Sequence, residues 1–393
     1  MNITVHPGDA QRRAGEALIV NLFEGVRPGG ATGVVDQALG GLISAAIDSG
    51  DFTGKPREIL LLYTGGRLPT RRVLVVGLGK PQDLRLEGVR QAAGVAAHKL
   101  QSLGVHEAST ILHGAGAGGL DVAEAAQALA EGSALGCYRF EHYRTEKSGK
   151  ELRRLAVVER DRARLAAARR GVRDGMIIAA ATAMARDLIN HPGNTATPAY
   201  LASCARRLAR THGLRCRVLD EPAMRRLGMG GLLAVTRGSG EGARFIVLEH
   251  ATAGRGRRDR PPLVFVGKGV TFDSGGISLK DPDGMENMKG DMSGGAAVLG
   301  ALQAVAALRL AQPVVGLIPA TENLPDGKAY RPGDVLTTMA GRTIEIISTD
   351  AEGRLILADA LTYAAPGTGR PRSSTWPPSP GPAWSPWATT PAA

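Results

Sequence analysis

The chain has 393 residues, a formal net charge of +11, 43% hydrophobic and 22% charged side chains, and three cysteines. That length suggests two or three domains, and the composition excludes a disordered chain. No apolar run reaches the length of a membrane span, and the opening text MNITVHPGDAQRRAG lacks the apolar core of a signal peptide, so a cytoplasmic protein without a membrane partner is expected.

Cys137, Cys204 and Cys216 are too few and too irregular for a disulfide framework or a zinc cluster. The basic charge permits weak attraction to nucleic acid. No helix-turn-helix, zinc-finger or aromatic RNA-binding pattern accompanies it.

Residues 1 to 150 alternate strand-like runs (Ala17 to Phe23, Glu58 to Tyr63, Arg72 to Val76, Ser109 to His113) with helix-like ones (Leu86 to Leu103, Asp121 to Leu135), which predicts an α/β domain. VVGLGK at Val75 to Lys80 lacks the third glycine of a dinucleotide fingerprint, and Pro81 follows it, so it reads as a tight turn. Residues 151 to 184 are expected to be a linking, largely helical segment rich in Ala and Arg. A second domain is expected over 185 to 365. Thr197 and Pro198 suit the start of a helix there, and Cys216 to Leu219 and Ala243 to Glu249 read as strands.

Two stretches carry the chemistry: VFVGKGVTFDSGGISLKDPDGMENMKGDMSGGAAVLG from Val264, and STDAEGRLILADAL from Ser348. The apolar runs Leu263 to Val266 and Ile344 to Ile347 read as buried parallel strands, whose carboxyl ends are where open α/β sheets place their sites. Lys268, Asp273, Asp291, Asp350 and Glu352 would converge there. Four carboxylates against one ammonium are prohibitive to bury unless cations neutralise them. The oxygen-rich set favours Mn²⁺ or Mg²⁺, with Zn²⁺ possible. Lys268 could ligate only as the neutral amine, which a nearby dication favours. Asp281 and Asp283, beside Pro282 and Gly284, read as turn residues, and Glu286 and Lys289 as surface or supporting charges.

VGKGVTFDSGGISLK, MKGDMSGGAAVLG and TDAEGRLILADAL together resemble the leucyl aminopeptidase family of dinuclear-metal peptidases. The resemblance implies one metal on Lys268, Asp273, Asp291 and Glu352 and a second on Asp273, Asp350 and Glu352. It implies catalytic roles for Lys280, as oxyanion binder, and for Arg354, as the site of a bicarbonate. It places Met288 against the first side chain of a peptide with a free N-terminus, making Lys268, Asp273, Lys280, Met288 and Asp291 the substrate-contacting set. It further implies a non-catalytic α/β N-terminal domain, a mostly parallel-sheet α/β catalytic domain and a homohexamer. The alternatives are an inactive fragment or a nucleic-acid-binding regulator of the same family.

From Pro366 the text turns to PGTGRPRSSTWPPSPGPAWSPWATTPAA, which holds all three Trp and supplies neither strand nor helix. The family pattern continues beyond this point with an apolar strand and a Thr- and Gly-rich loop. A frameshift near residue 365 is therefore expected, leaving the catalytic domain without its C-terminal part.

Overall fold

The computed structural model describes residues 1–251 and 261–365, so the expected out-of-frame tail, 366–393, lies outside the described residues. Two compact units are present, Met1–Ala183 and one beginning at Met184. Among the described residues no single helix is long and apolar enough to cross a membrane.

The first unit holds β1 (Asn2–Pro7), β2 (Ala17–Leu22), α1 (Gly30–Ala38), α2 (Leu42–Asp48), β3 (Ile59–Tyr63), β4 (Arg72–Gly77), α3 (Leu86–Ser102), β5 (Glu107–Ile111), α4 (Val122–Gly136), β6 (Arg154–Glu159) and the start of α5 (Leu165–Asn190). Its sheet runs β1-β6-β5-β2-β4-β3, with only β3 antiparallel to its neighbour. Alternate residues serve opposite faces, as the period of a strand requires. Ile19, Leu74 and Val76 pack with α3 and α4, whereas Leu18, Val20, Val73 and Val75 pack with α1 and α2.

Residues 154–159 correct the expectation of helix across 151–184. Leu155, Ala156, Val157 and Val158 are all buried, because β6 inserts between β1 and β5 and is covered on both faces. The Arg and Glu residues around this short apolar run mark the ends of a central strand, not the solvated face of a helix. Gly77 ends β4 where an added Cβ would lie 2.0 Å from the Lys55 carbonyl oxygen, so VVGLGK is a packing turn.

The second unit holds α6 (Pro198–His212), β7 (Arg215–Leu219), α7 (Glu221–Arg226), α8 (Gly230–Val235), β8 (Arg244–His250), β9 (Leu263–Val266), β10 (Gly269–Asp273), α9 (Ser293–Ala307), β11 (Val314–Asn323), β12 (Val335–Thr337), β13 (Thr343–Glu345) and α10 (Glu352–Ala364). Thr197 caps α6 through the Tyr200 amide, with Pro198 in the first turn. Helices α6 and α9 cover one sheet face, and α8 and α10 the other.

The α/β class holds in both units, but this second sheet is mixed. β11 is parallel to β9 and β10 and antiparallel to β8, which is antiparallel to β7. The run Ile344 to Ile347 is not a buried parallel strand either. Thr343–Glu345 forms a small antiparallel hairpin with β12, and Ile347 is 79% exposed. The alternation of exposed Thr343 and Glu345 with half-buried Ile344 is the pattern of a one-sided antiparallel strand.

Both β9 and β10 lie along one edge of β11, interrupted at Gly267 and Lys268. The Lys268 carbonyl accepts from the Gly295 amide at 2.7 Å. An added Cβ on Gly267 would sit 2.3 Å from the Gly294 carbonyl oxygen, so the start of α9 packs directly on the break.

Candidate metal centre

The break in the edge strand places Lys268, the end of β10 places Asp273, and the loop beyond it carries Lys280. Asp291 follows the turn Met285–Gly290 and stands two residues before α9, Asp350 lies in the turn before α10, and Glu352 opens that helix. These segments meet. Lys268 Nζ lies 2.6 Å from both Asp291 Oδ2 and Glu352 Oε1. Lys280 Nζ lies 3.0 Å from Asp273 Oδ2 and also pairs with Asp350. Carboxylate oxygens of Asp273, Asp350 and Glu352 come within 4.8 Å of one another.

Two glycine positions make this approach possible. Gly275 has φ +87°, and an added Cβ would lie 2.4 Å from the Ser278 carbonyl oxygen and 3.2 Å from Asp350 Oδ1. At Gly353 an added Cβ would lie 2.9 Å from Lys268 Cε, so the lysine stem runs across the first turn of α10.

Burial works against the Lys268 ammonium, but its ion pairs with Asp291 and Glu352 outweigh it and hold the lysine above its ordinary pKa. On the same pairs both acids are pushed upward, first by burial and then by the neighbouring Asp273 charge, because one shared ammonium does not compensate the buried Glu352 and the half-buried Asp291. Burial likewise opposes the Lys280 charge, and Asp350 and Asp273 raise its pKa nevertheless.

Glu352 is fully buried: its Oε1, like Asp291 Oδ2, faces only the Lys268 ammonium, and its Oε2 has no hydrogen-bond partner among the described residues. Four carboxylates against two ammonium groups leave negative charge over, and the buried Glu352 Oε2 is left without a partner. That donor set fits hard or borderline divalent cations.

Arg354 is exposed on the first turn of α10, and Met288 is half-buried in the short 3₁₀ turn Met285–Gly290. Neither makes an ion pair or hydrogen bond through its side chain to the cluster. Three further residues complete the surroundings. Asn323 Nδ2 donates to Asp273 Oδ1 at 2.8 Å and to the Thr349 carbonyl at 3.0 Å. Thr349 Oγ1 donates to the Gly275 carbonyl at 2.6 Å and accepts from the Ser278 amide, and Tyr330 Oη donates to the Thr349 carbonyl. Sequence reasoning passed over all three. For Asn323 the available signal was an amide at the carboxyl end of a ten-residue buried strand.

The model of the cytosol aminopeptidase family catalytic domain matches residues 183–372, and that of its N-terminal domain residues 19–147. A probable cytosol aminopeptidase of Nitrosococcus oceani is 41% identical over 367 residues, covering 93% of this chain and 73% of the relative. The chain belongs to the cytosol aminopeptidase family.

Another family member, from Geotalea uraniireducens, is 48% identical over 339 residues, which are 84% of this chain and 66% of the relative. The chain thus spans just under two thirds of the length of this relative, a probable cytosol aminopeptidase. Among solved structures, a tomato leucine aminopeptidase mutant is similar at TM-score 0.82 and 31% identity, covering 93% of this chain and 71% of the other. The bottromycin maturation enzyme BotP in complex with Mn is similar at TM-score 0.76 and 36% identity, with coverage of 92% and 71%.

Proposed function

We propose that this chain is a metal-dependent aminopeptidase that releases N-terminal residues, preferably leucine-like, from peptides with a free N-terminus, using two divalent ions. The observation that carries the proposal is the meeting of Asp273, Asp350 and Glu352 within 4.8 Å, with the buried Glu352 Oε2 left without a hydrogen-bond partner. Lys268, Asp273, Asp291 and Glu352 would hold one ion, and Asp273, Asp350 and Glu352 the other. The Mn-bound neighbour BotP supports Mn²⁺ as first choice, with Zn²⁺ also accepted by carboxylates.

Such ions supply Lewis-acid polarisation of a scissile carbonyl and an activated water near neutral pH. The protein's own groups do the rest. Lys268 contributes to the ligand set as the free amine, a form that a dication beside it favours. Lys280, anchored between Asp273 and Asp350, presents a fixed positive charge to the developing oxyanion. Arg354 offers a solvent-facing planar fork for a carboxylate-like anion such as bicarbonate. Met288 supplies apolar surface to the first side chain of the peptide. A cytoplasmic location and a homohexamer belong to the same reading, by analogy with the family.

The test is metal analysis of a purified parent whose reading frame is restored after residue 365, together with hydrolysis of leucyl-p-nitroanilide in Mn²⁺. Two bound ions and turnover in the parent, both lost in Asp273→Ala, are expected. A folded parent that binds no divalent ion, or Asp273→Ala turning over at the parental rate, would remove the proposal.

A further inference from the structure

We infer that Asn323 is a positioning residue for the metal centre, its side-chain amide fixing the carboxylate of Asp273 against the loop that carries Asp350. This rests on the metal reading above. Asn323 is the last residue of β11 and is fully buried. Its Nδ2 donates to Asp273 Oδ1 at 2.8 Å and to the Thr349 carbonyl at 3.0 Å, joining residues 50 and 26 positions away. Both partners are pure acceptors, so the amide orientation is determined: turned over, its oxygen would face two oxygens.

The consequence for Asp273 is directional. Its Oδ1 also accepts from the Gly275 amide at 2.9 Å, so two donors engage that oxygen and turn Oδ2 towards Lys280 and the centre. On the other side, the Thr349 carbonyl belongs to the peptide unit that leads into Asp350, and Tyr330 Oη holds the same oxygen at 2.7 Å. One amide therefore ties together the two segments whose carboxylates approach within 4.8 Å.

The fit is tight. An added Cβ on Gly276 would lie 2.8 Å from Asn323 Oδ1 and 3.0 Å from Thr349 Oγ1, so the neighbouring loop is built around this side chain. A carboxylate in its place would add negative charge and an acceptor where two acceptors already point. A hydroxyl carries one donor and cannot serve both. Groups that orient ligating carboxylates typically alter metal affinity by about 10- to 100-fold when removed.

The test is calorimetric titration of the full chain with Mn²⁺, for the parent, Asn323→Ala and the volume-conserving Asn323→Thr, alongside thermal melts without metal. Expected are melting temperatures within a few degrees of the parent and Mn²⁺ affinity about 10- to 100-fold weaker in Asn323→Ala, with Asn323→Thr also weakened. Affinities within twofold of the parent in folded variants would overturn the inference. Loss of the fold in both variants would assign Asn323 to the fold itself and overturn it equally. A folded parent that binds no Mn²⁺ would instead strike the metal reading, and this inference with it.

Discussion

Lys268 and Lys280 divide the acidic cluster between them, each bridging two carboxylates from different segments. Their expected roles differ, and so should their variants. Lys280→Ala is expected to keep metal binding while lowering kcat about 100- to 1,000-fold, the usual loss for one oxyanion donor; a change confined to KM in steady-state kinetics would count against it. A second residue-scale prediction concerns His113, buried in the first unit beside Asn21 and Thr110, where burial lowers its pKa to about 4. The unfolded chain takes up this proton below about 6.5 and the folded one only near 4, so stability is full above 6.5 and falls as pH drops through that window. Denaturant unfolding at pH 5 should show roughly 2 kcal/mol of loss from this group, and His113→Leu, though less stable at pH 7, should lack that part of the acid dependence. The charged members of the cluster were legible in the sequence because the motifs that carry them resemble a known family in residue type and spacing; of the cluster only Asp273 ends a strand. Asn323 and Thr349 were not, because an amide and a hydroxyl in such text serve turns equally well.

At the scale of elements, α4 is held by backbone contact on two sides. An added Cβ on Gly132 would lie 2.0 Å from the Arg90 carbonyl oxygen on α3, and one on Gly171 of α5 would lie 2.0 Å from the Ala123 carbonyl oxygen on α4. Alanine gains up to about 1 kcal/mol over glycine in an open helix. Here the overpacking cost of roughly 1–3 kcal/mol should outweigh it, so Gly171→Ala is expected to lower the melting temperature; a rise would show that the helices can move apart freely. Repeating patterns explain which elements could be read. Helices such as α3 and α4 declare themselves over four or five turns, whereas β6 has four apolar residues between charged ends, and only its place between β1 and β5 makes it a strand. The β13 hairpin failed for a related reason: the branched run was visible, but its alternation was not used.

Across the second unit, divalent ions bound as proposed at the carboxylate cluster would enter the stability balance. Mn²⁺ at one hundred times its dissociation constant should stabilise the fold by about 2.7 kcal/mol. Thermal scans with Mn²⁺ and with chelator should then differ by about 5 °C or more, and identical curves would argue against specific binding. The division into two α/β units was apparent from the alternation of apolar runs, but strand direction was not. Direction depends on which distant segment lies alongside, and β11, central to its sheet, has β8 on one side and β9 and β10 on the other.

That central position also sets an order of events during synthesis. Thr271 in β10 and its hydrogen-bond partner Thr321 in β11 are separated by 50 residues. At about 5–20 residues per second, β9 and β10 emerge from the ribosome seconds before their partner strand exists. Until then the apolar run Leu263–Val266 has no ladder, and Lys268 and Asp273 have neither Glu352 nor Asp350 to face. The nascent chain thus carries a sticky, unpaired edge and an unassembled charged cluster through the same interval, the period in which a chaperone would protect it most.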